Sequence, residues 1–496
     1  MSKIHFGTDG WRAIIGEDFT DDTLKEAVGA AARVFRAENP LDANGANMAN
    51  QGAANTIIIG YDCRSDAARY AAIAADTLAA YGFDVKLSDT YCPTPTLCWS
   101  VAQDDRAIGG VILTSSHNPA EYLGVKLRMP DGGASPAAFT DKVEAELDHD
   151  DSTGGGAPSC ATGTVCKVDL MTPYLDDLIS LVDAEAIAAA DLHVVVDPLY
   201  GAGRHYLADT LRKLGVTVEE VNNATDPTFG GLHPEPIEPW IQVGQHKVAE
   251  LGYDACFFTD GDADRIGGAD VTGKFVNPHR ILTLVIAHLV EDKDKHGRVV
   301  RTLSGSNLVK RQCERLGLEL TTTPIGFKWI YEQMLKGDVL VGGEESGGIG
   351  IPTHVRERDG LLMALLLTEL MAQKHKTLKQ LVDDMLTELG NLEFARRDLR
   401  LEQSQKDAFI ANHSKADTDA NTYAALFEPL GERIVDVDHR DGVKITFEND
   451  DWLLMRPSGT EPLVRVYAEA PTMEHVDKIL DVGCSIAKGE EKSSVF

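Results

Sequence analysis

The chain has 496 residues, 43% of them hydrophobic and 25% charged, an ordinary globular composition in a length too great for one core; at roughly 100 to 200 residues per domain, three or four domains are expected. A formal net charge of -31 argues against a general binder of nucleic acid or of anionic membranes, so an anionic substrate needs a local basic cluster. The eight cysteines form no CxxC pair and the N-terminal MSKIHFGTDGWR lacks an apolar signal core, which together predict reduced thiols in a cytoplasmic protein.

Along the chain, NTIIIGYDCR from Asn55, GGVILTSSHN from Gly109, DLHVVVDPLYGAG from Asp191, DACFFTDGDADR from Asp254 and DVLVGGEESGG from Asp338 predict buried strands that run into polar or glycine-rich loops. Helical stretches such as AARYAAIAADTLAAYG from Ala67 and LADTLRKLG from Leu207 fall between them, the alternation of an α/β fold. Ligands of such sheets sit beyond the carboxyl ends of the strands, where these loops lie. The stretch from Glu38, rich in Asn, Ala and Gly, reads as a surface insertion, and HDDSTGGGAPSCATGT from His149 as a linker. The run GLLMALLLTELMA from Gly360 is too short to span a bilayer and contains Glu369, so it reads as a buried helix. Further boundaries are expected near Asn277, where KFVNPHR leads into a helix, and near Asn391, after which KITFE and LVRVYAEA predict a smaller α+β unit. The expected domains are therefore residues 1–165, 166–277, 278–391 and 392–496.

Four loops carry groups with chemistry. In TSSHNP, Thr114 to Pro119, Ser116 stands at a strand end, His117 and Asn118 supply donors and Pro119 stiffens the turn. The same residues suit a plain capping turn, and the GxSxG elbow of a triad serine is absent. In TDGDADRIG, Thr259 to Gly267, Asp260, Asp262 and Asp264 alternate, so they can converge hard oxygen ligands on Mg2+ or Ca2+ and would repel one another without a cation. Arg265 and Val271 occupy the positions where an EF-hand needs Gly and Glu, and the DxDx[TV] pattern of aspartate-nucleophile phosphatases is not met. The nearby GADVTGKF ends in Phe275 where a P-loop needs Ser or Thr, and reads as a hairpin turn. In GGEESGG, Gly342 to Gly348, Glu344 and Ser346 suit sugar hydroxyls, or form an acidic turn. In RPSGTEP, Arg456, Ser458 and Thr460 with successive backbone N–H groups make a phosphate cradle or a plain turn.

Taken in this order, the four loops, with the opening FGTDGWR, resemble the signature set of the α-D-phosphohexomutases, from Phe6 to about Val466. The resemblance implies three related α/β/α domains with mixed sheets and a C-terminal α+β domain like the TATA-binding protein, around a central cleft. It implies that Ser116 is the phosphoserine and that Asp260, Asp262 and Asp264, with the serine phosphate, hold Mg2+. Arg12, Lys126 and His117 would flank the reacting phosphate, with Arg265 following the metal ligands. Glu344, Ser346 and Lys328, the last in TPIGFKWI, would contact the sugar, and Arg456, Ser458, Gly459 and Thr460 the non-reacting phosphate. Lys126 is the best candidate for acid/base work, on the condition that burial beside cations lowers its pKa; the competing role is electrostatic only.

The implied activity is interconversion of glucose 1-phosphate and glucose 6-phosphate through glucose 1,6-bisphosphate, which also serves as activator, in a monomer or homodimer that acts on a small hexose phosphate with no nucleic-acid or membrane partner. Relatives active on mannose and glucosamine phosphates commonly carry His after SG in the sugar loop, whereas this chain has Gly348, a departure that resembles phosphoglucomutases. The rival readings are a phosphomannomutase or dual-specificity enzyme, a phosphoglucosamine mutase, and a non-catalytic sugar-phosphate-binding regulator.

Overall fold

A computed structural model describes residues 4–7, 9–39, 55–147, 163–414, 418–459 and 462–490. Most of the expected insertion from Glu38, nearly all of the expected linker from His149, and Thr460 lie outside the described residues. The chain divides into two compact units, residues 1–298 with 326–381 and residues 299–325 with 382–496.

The first unit begins with a six-stranded mixed sheet of β1 (Trp11–Ile14), β2 (Thr56–Tyr61), β3 (Asp84–Ser88), β4 (Ala107–Leu113), β5 (Tyr122–Arg128) and β6 (Val165–Val168), in the order β1-β5-β4-β2-β3-β6. β2 pairs in parallel with β3 and β4, while β5 returns antiparallel between β4 and β1. The expected boundary at 165 falls inside β6, which pairs with β3 and carries this sheet on to Val168. The helix Ala67–Ala80 buries Ala67, Tyr70, Ala71, Ala74, Ala75, Leu78 and Ala79, the three-and-four spacing that turns one helical stripe to a core. Small side chains on that stripe let the helix lie close to the sheet; Ile57, Ile59, Val85 and Val111 share its core.

The second sheet runs β7 (His193–Asp197), β8 (Thr217–Glu220), β9 (Ala255–Thr259), β10 (Ile266–Asp270) and β11 (Phe275–Val276), in the order β11-β10-β9-β7-β8. β7, β8 and β9 are parallel neighbours; β9, β10 and β11 form antiparallel hairpins. The near miss to a P-loop is thus the turn between β10 and β11, as its flanks predict. β12 (Arg298–Thr302) pairs in parallel with β13 (Leu320–Thr323), and β14 (Val339–Gly343) pairs antiparallel with β15 (Ile349–Gly350). The apolar run from Gly360 forms the buried helix Gly360–Lys374, capped by the Asp359 carboxylate, which accepts from the Leu362 N–H at 2.9 Å.

In the second unit, β16 (Glu393–Arg400), β17 (Ile434–Asp438), β18 (Val443–Phe447), β19 (Trp452–Pro457) and β20 (Leu463–Ala470) form an antiparallel sheet ordered β16-β20-β19-β18-β17. Val476, Ile479 and Leu480 of the helix Met473–Lys488 share a core with Ile445, Leu453 and Val466 of the sheet, the α+β arrangement expected for the C-terminal part. No helix among the described residues is long and apolar enough to cross a membrane.

Candidate active site

Sheet register brings the first group together. β4 ends at Leu113 and opens directly into the serine loop, and β5 returns antiparallel with Lys126 opposite Ile112. β1 lies against β5 with Arg12 opposite Gly124, so Arg12, Lys126 and the serine loop share one end of the sheet. Ser116 is buried and left-handed, with φ 49°, which is uncommon for a residue with a side chain. Its Oγ donates to Asp260 Oδ2 at 2.8 Å and lies 3.4 Å from His117 Nδ1. Arg12 Nη1 donates to Asn118 Oδ1 in the same loop.

The three aspartates occupy the turn of the β9–β10 hairpin, which forces their alternation into a small volume. All three are fully buried, and one ligand atom from each lies within 4.8 Å of the others. Gly261 is required here, since a Cβ at that position would stand 2.4 Å from the Ser116 carbonyl oxygen. Burial and the neighbouring Asp262 and Asp264 raise the Asp260 carboxyl well above its ordinary range. Burial would raise Asp262 too, but Lys126 outweighs it and holds Asp262 low. Asp262 Oδ1 and Asp264 Oδ1 are buried with no hydrogen-bond partner among the described residues. Three converging buried carboxylates, two of them with an unsatisfied oxygen, fit a hard divalent cation. The other three-group cluster among the described residues, Glu432, Asp451 and His475, is bridged by the Asn449 amide and by His475 Nε2, 2.6 Å from Glu432 Oε1.

Lys126 corrects an expectation. Its Nζ lies 2.8 Å from Asp262, 3.0 Å from Asp9 and 3.3 Å from Asp264, so three carboxylates surround it, two of which it shares with the Arg358 guanidinium. Burial alone would lower its pKa; Asp262, Asp9 and Asp264 override that and raise it. The condition for a neutral, proton-accepting lysine is not met. His117, expected from the sequence to supply a donor in the serine loop, is a titratable group within reach of the serine oxygen.

The sugar loop meets the metal loop edge to edge: Ile266 N–H donates to Gly347 O at 3.0 Å and Arg265 bridges Gly348. Arg265 Nη1 lies 3.6 Å from Glu235, and its Nε 3.8 Å from Asp260. Glu344 is buried in the β14–β15 hairpin, where burial pushes its carboxyl up to about 7 against the pull of Arg358. Ser346 is half-buried, and Lys328 is the second residue of the helix Phe327–Leu335, also half-buried, with Nζ 5.0 Å from the Trp329 ring centre.

Arg358 is the principal group that sequence reasoning missed. Its guanidinium bridges Asp264 at 2.7 Å and Asp9 at 2.9 Å, lies 3.6 Å from Glu344, and binds Glu357 through Nε at 3.0 Å. A Cβ at Gly348 would lie 2.3 Å from Arg358 Cδ, so the arginine stem fills the space where a side chain at 348 would begin. Asp9 was also missed, although it stands within the quoted opening GTDGWR; it accepts from Lys126, Arg128 and Arg358, and despite its burial these cations hold it well below the carboxylate range. Asp359, next in sequence to Arg358, is bound by Tyr174 at 2.8 Å and by His354 Nε2 at 3.0 Å.

In the other unit, Arg456 Nε donates to Asp441 Oδ1 at 2.8 Å, and the Ser458 N–H donates to Leu463 O at 2.9 Å, shaping the turn between β19 and β20. Gly459 is exposed, with open space where a Cβ would stand.

Four family descriptions match the chain: phosphoglucomutase/phosphomannomutase alpha/beta/alpha domain I over 3–154, domain II over 172–273 and domain III over 277–389, and the phosphoglucomutase/phosphomannomutase C-terminal domain over 400–482. The chain is 30% identical to a phosphoglucomutase/phosphomannomutase of Thermococcus kodakarensis, covering 98% of both. It is likewise 30% identical to a phosphoglucosamine mutase of Bifidobacterium animalis subsp. lactis, covering 96% of both. Among solved structures it is similar to a provisionally assigned phosphomannomutase of Thermus thermophilus, with 33% identity, a TM-score of 0.81, and coverage of 99% of this chain and 100% of that one.

Proposed function

The chain belongs to the phosphoglucomutase/phosphomannomutase family of phosphohexomutases, and from that premise we propose that it interconverts glucose 1-phosphate and glucose 6-phosphate through a phosphoserine at Ser116. The observation that carries this reading is the Ser116 hydroxyl, buried, left-handed and 2.8 Å from Asp260 within a cluster of converging carboxylates.

Asp260, Asp262 and Asp264 are assigned to hold Mg2+, with the serine phosphate as a further ligand. When bound, the ion supplies charge neutralisation at the transferring phosphoryl group. The protein's own residues do the rest. Ser116, held rigid in its loop, gives its phosphoryl group to the free hydroxyl of a hexose monophosphate, forming glucose 1,6-bisphosphate; the second phosphate later returns to the same Oγ. Arg12, Arg265 and Lys126 hold the phosphate charge. His117 takes the proton of the attacking sugar hydroxyl and passes it to the departing Ser116 Oγ, and takes it back from Oγ when the second phosphate returns. Glu344, Ser346 and Lys328 bind the sugar and orient it, while Arg456, Ser458, Gly459 and Thr460 are the candidate holders of the phosphate that does not react.

Glucose is favoured because the sugar loop carries Gly348 in place of His, with the stem of Arg358 lying against it. A second reading, phosphoglucosamine mutase, is favoured by the relative of that name from Bifidobacterium animalis subsp. lactis. The deciding experiment is a panel of glucose, mannose and glucosamine 1-phosphates, run on the wild type and on Ser116→Ala with Mg2+ and bisphosphate present. The highest kcat/KM is expected for glucose 1-phosphate, with Ser116→Ala inactive. A higher value for either other sugar overturns the substrate assignment.

A further inference from the structure

One buried side chain outside the assigned set touches the serine loop more than any other. Arg64 leaves the end of β2, is 3% exposed, and spends all five guanidinium N–H groups. Nη2 donates to the carbonyl oxygens of Ser116 at 2.7 Å and Asn118 at 2.6 Å. Nη1 donates to those of Pro119 at 2.6 Å and Tyr122 at 3.0 Å. Nε donates to Asp62 Oδ2 at 3.2 Å. The same Asp62 oxygen accepts from the Thr114 hydroxyl at 2.6 Å, and that hydroxyl accepts from the Ser116 N–H at 2.9 Å. The network therefore grips both the amide and the carbonyl of Ser116. The Phe229 ring lies 4.9 Å from the guanidinium carbon, so the clamp is packed as well as hydrogen-bonded.

A turn that holds a serine at φ 49° costs conformational energy, and it persists only where its surroundings over-determine it. Here the surroundings are a planar five-donor fork that only arginine provides. The left-handed turn in turn directs Oγ to Asp260 and presents the Ser116 carbonyl to the close approach of Gly261.

Resting on the function proposed above, we propose that Arg64 is the positioning residue of the phosphoryl-transfer serine, acting with Asp62 and Thr114 and touching neither substrate nor metal. Lysine keeps the charge but cannot reach four carbonyls, so Arg64→Lys isolates the fork geometry. A misplacement of the reacting oxygen on the order of 1 Å costs about a hundredfold in rate. Arg64→Lys is expected to lower kcat for hexose phosphate turnover by about that factor and to leave KM within about twofold.

The readout that does not depend on the enzymatic reading is hydrogen exchange: amides of the 114–122 segment exchange at least about tenfold faster in Arg64→Lys, while those of β9 and β10 do not change. Thr114→Val removes only the hydroxyl link and is expected to move both readouts the same way by a smaller factor, which keeps the test open should Arg64→Lys fail to fold. Unchanged exchange in 114–122, or kcat within about twofold of wild type, overturns the proposal. Faster exchange in Arg64→Lys, combined with a wild type that turns over none of the panel sugars, overturns the functional reading and leaves the clamp standing.

Discussion

Three buried carboxylates with atoms within 4.8 Å of one another are an expensive arrangement, and Asp260→Asn tests what it is for. Each ionised pair at that separation repels by about 3 kcal/mol at an effective dielectric constant of about 20. Asp260 takes part in two such pairs, and Arg265, 3.8 Å away, offsets part of the repulsion. Asn keeps the size of the side chain and can keep accepting from the Ser116 hydroxyl or the Arg265 N–H. In EDTA the variant is therefore expected to be more stable than the wild type by about 2 kcal/mol, a rise of a few degrees in the first thermal transition. In millimolar Mg2+ the order reverses: the wild type gains stability through binding and the variant gains little. Turnover of hexose phosphates should fall by at least about a thousandfold, since the neutralising site is lost. Calorimetry in EDTA and in Mg2+ checks both signs. A variant less stable than wild type in EDTA, or one that keeps the full Mg2+ response, would refute the reasoning, because the aspartates would then be a hydrogen-bonded structural knot.

Lys126→Gln leaves Asp262 without its ammonium, while Asp9 keeps Arg128 and Arg358, so a loss of about 3 kcal/mol is expected in EDTA, partly recovered by Mg2+; equal losses in both conditions would contradict the shared-charge account. His354 is held charged between Asp177 and Asp359: burial would lower its pKa, but these partners raise it from 6.5 to about 9. Its contribution is therefore fully present below pH 6.5 and lost as pH rises through about 9; the difference is worth roughly 3 kcal/mol, so the wild type should lose stability across that window and His354→Gln should flatten the profile. Gly348→His must displace Arg358, whose guanidinium is fixed on Asp264 and Asp9, so a destabilisation of roughly 2 kcal/mol and a loss of activity on every panel sugar are expected. Improved kcat/KM for mannose 1-phosphate in that variant would show that Arg358 yields easily.

The site's loops were legible because each follows an apolar strand and keeps its chemistry within a few residues, as Asp260, Asp262 and Asp264 do. The hairpin turn at Gly268 to Phe275 and the buried helix from Gly360 were legible for the same reason: their signals are local. Arg64 and Arg358 gave no such signal. Arg64 meets its serine-loop partners more than fifty residues away in sequence, and Arg358 reaches Asp9 from the far end of the first unit. One clue was available, since Asp359 before the apolar run from Gly360 is an N-cap pattern and places its neighbours at a helix entrance. The partners of Lys126 were not legible because a list of neighbouring motifs shows Arg12 and Arg265 but not which charges touch the ammonium; register and hairpin geometry decide that.

The central claim is that the phosphoryl group passes through Ser116, and intact mass spectrometry of the purified protein tests it most directly. Incubated with glucose 1,6-bisphosphate carrying 18O-labelled phosphates and Mg2+, the wild type is expected to carry one labelled phosphate that maps to Ser116 and is replaced by unlabelled phosphate on addition of excess hexose monophosphate, while Ser116→Ala carries none. A labelled phosphate that stays on Ser116 unexchanged through turnover, or turnover that survives in Ser116→Ala, would contradict the account.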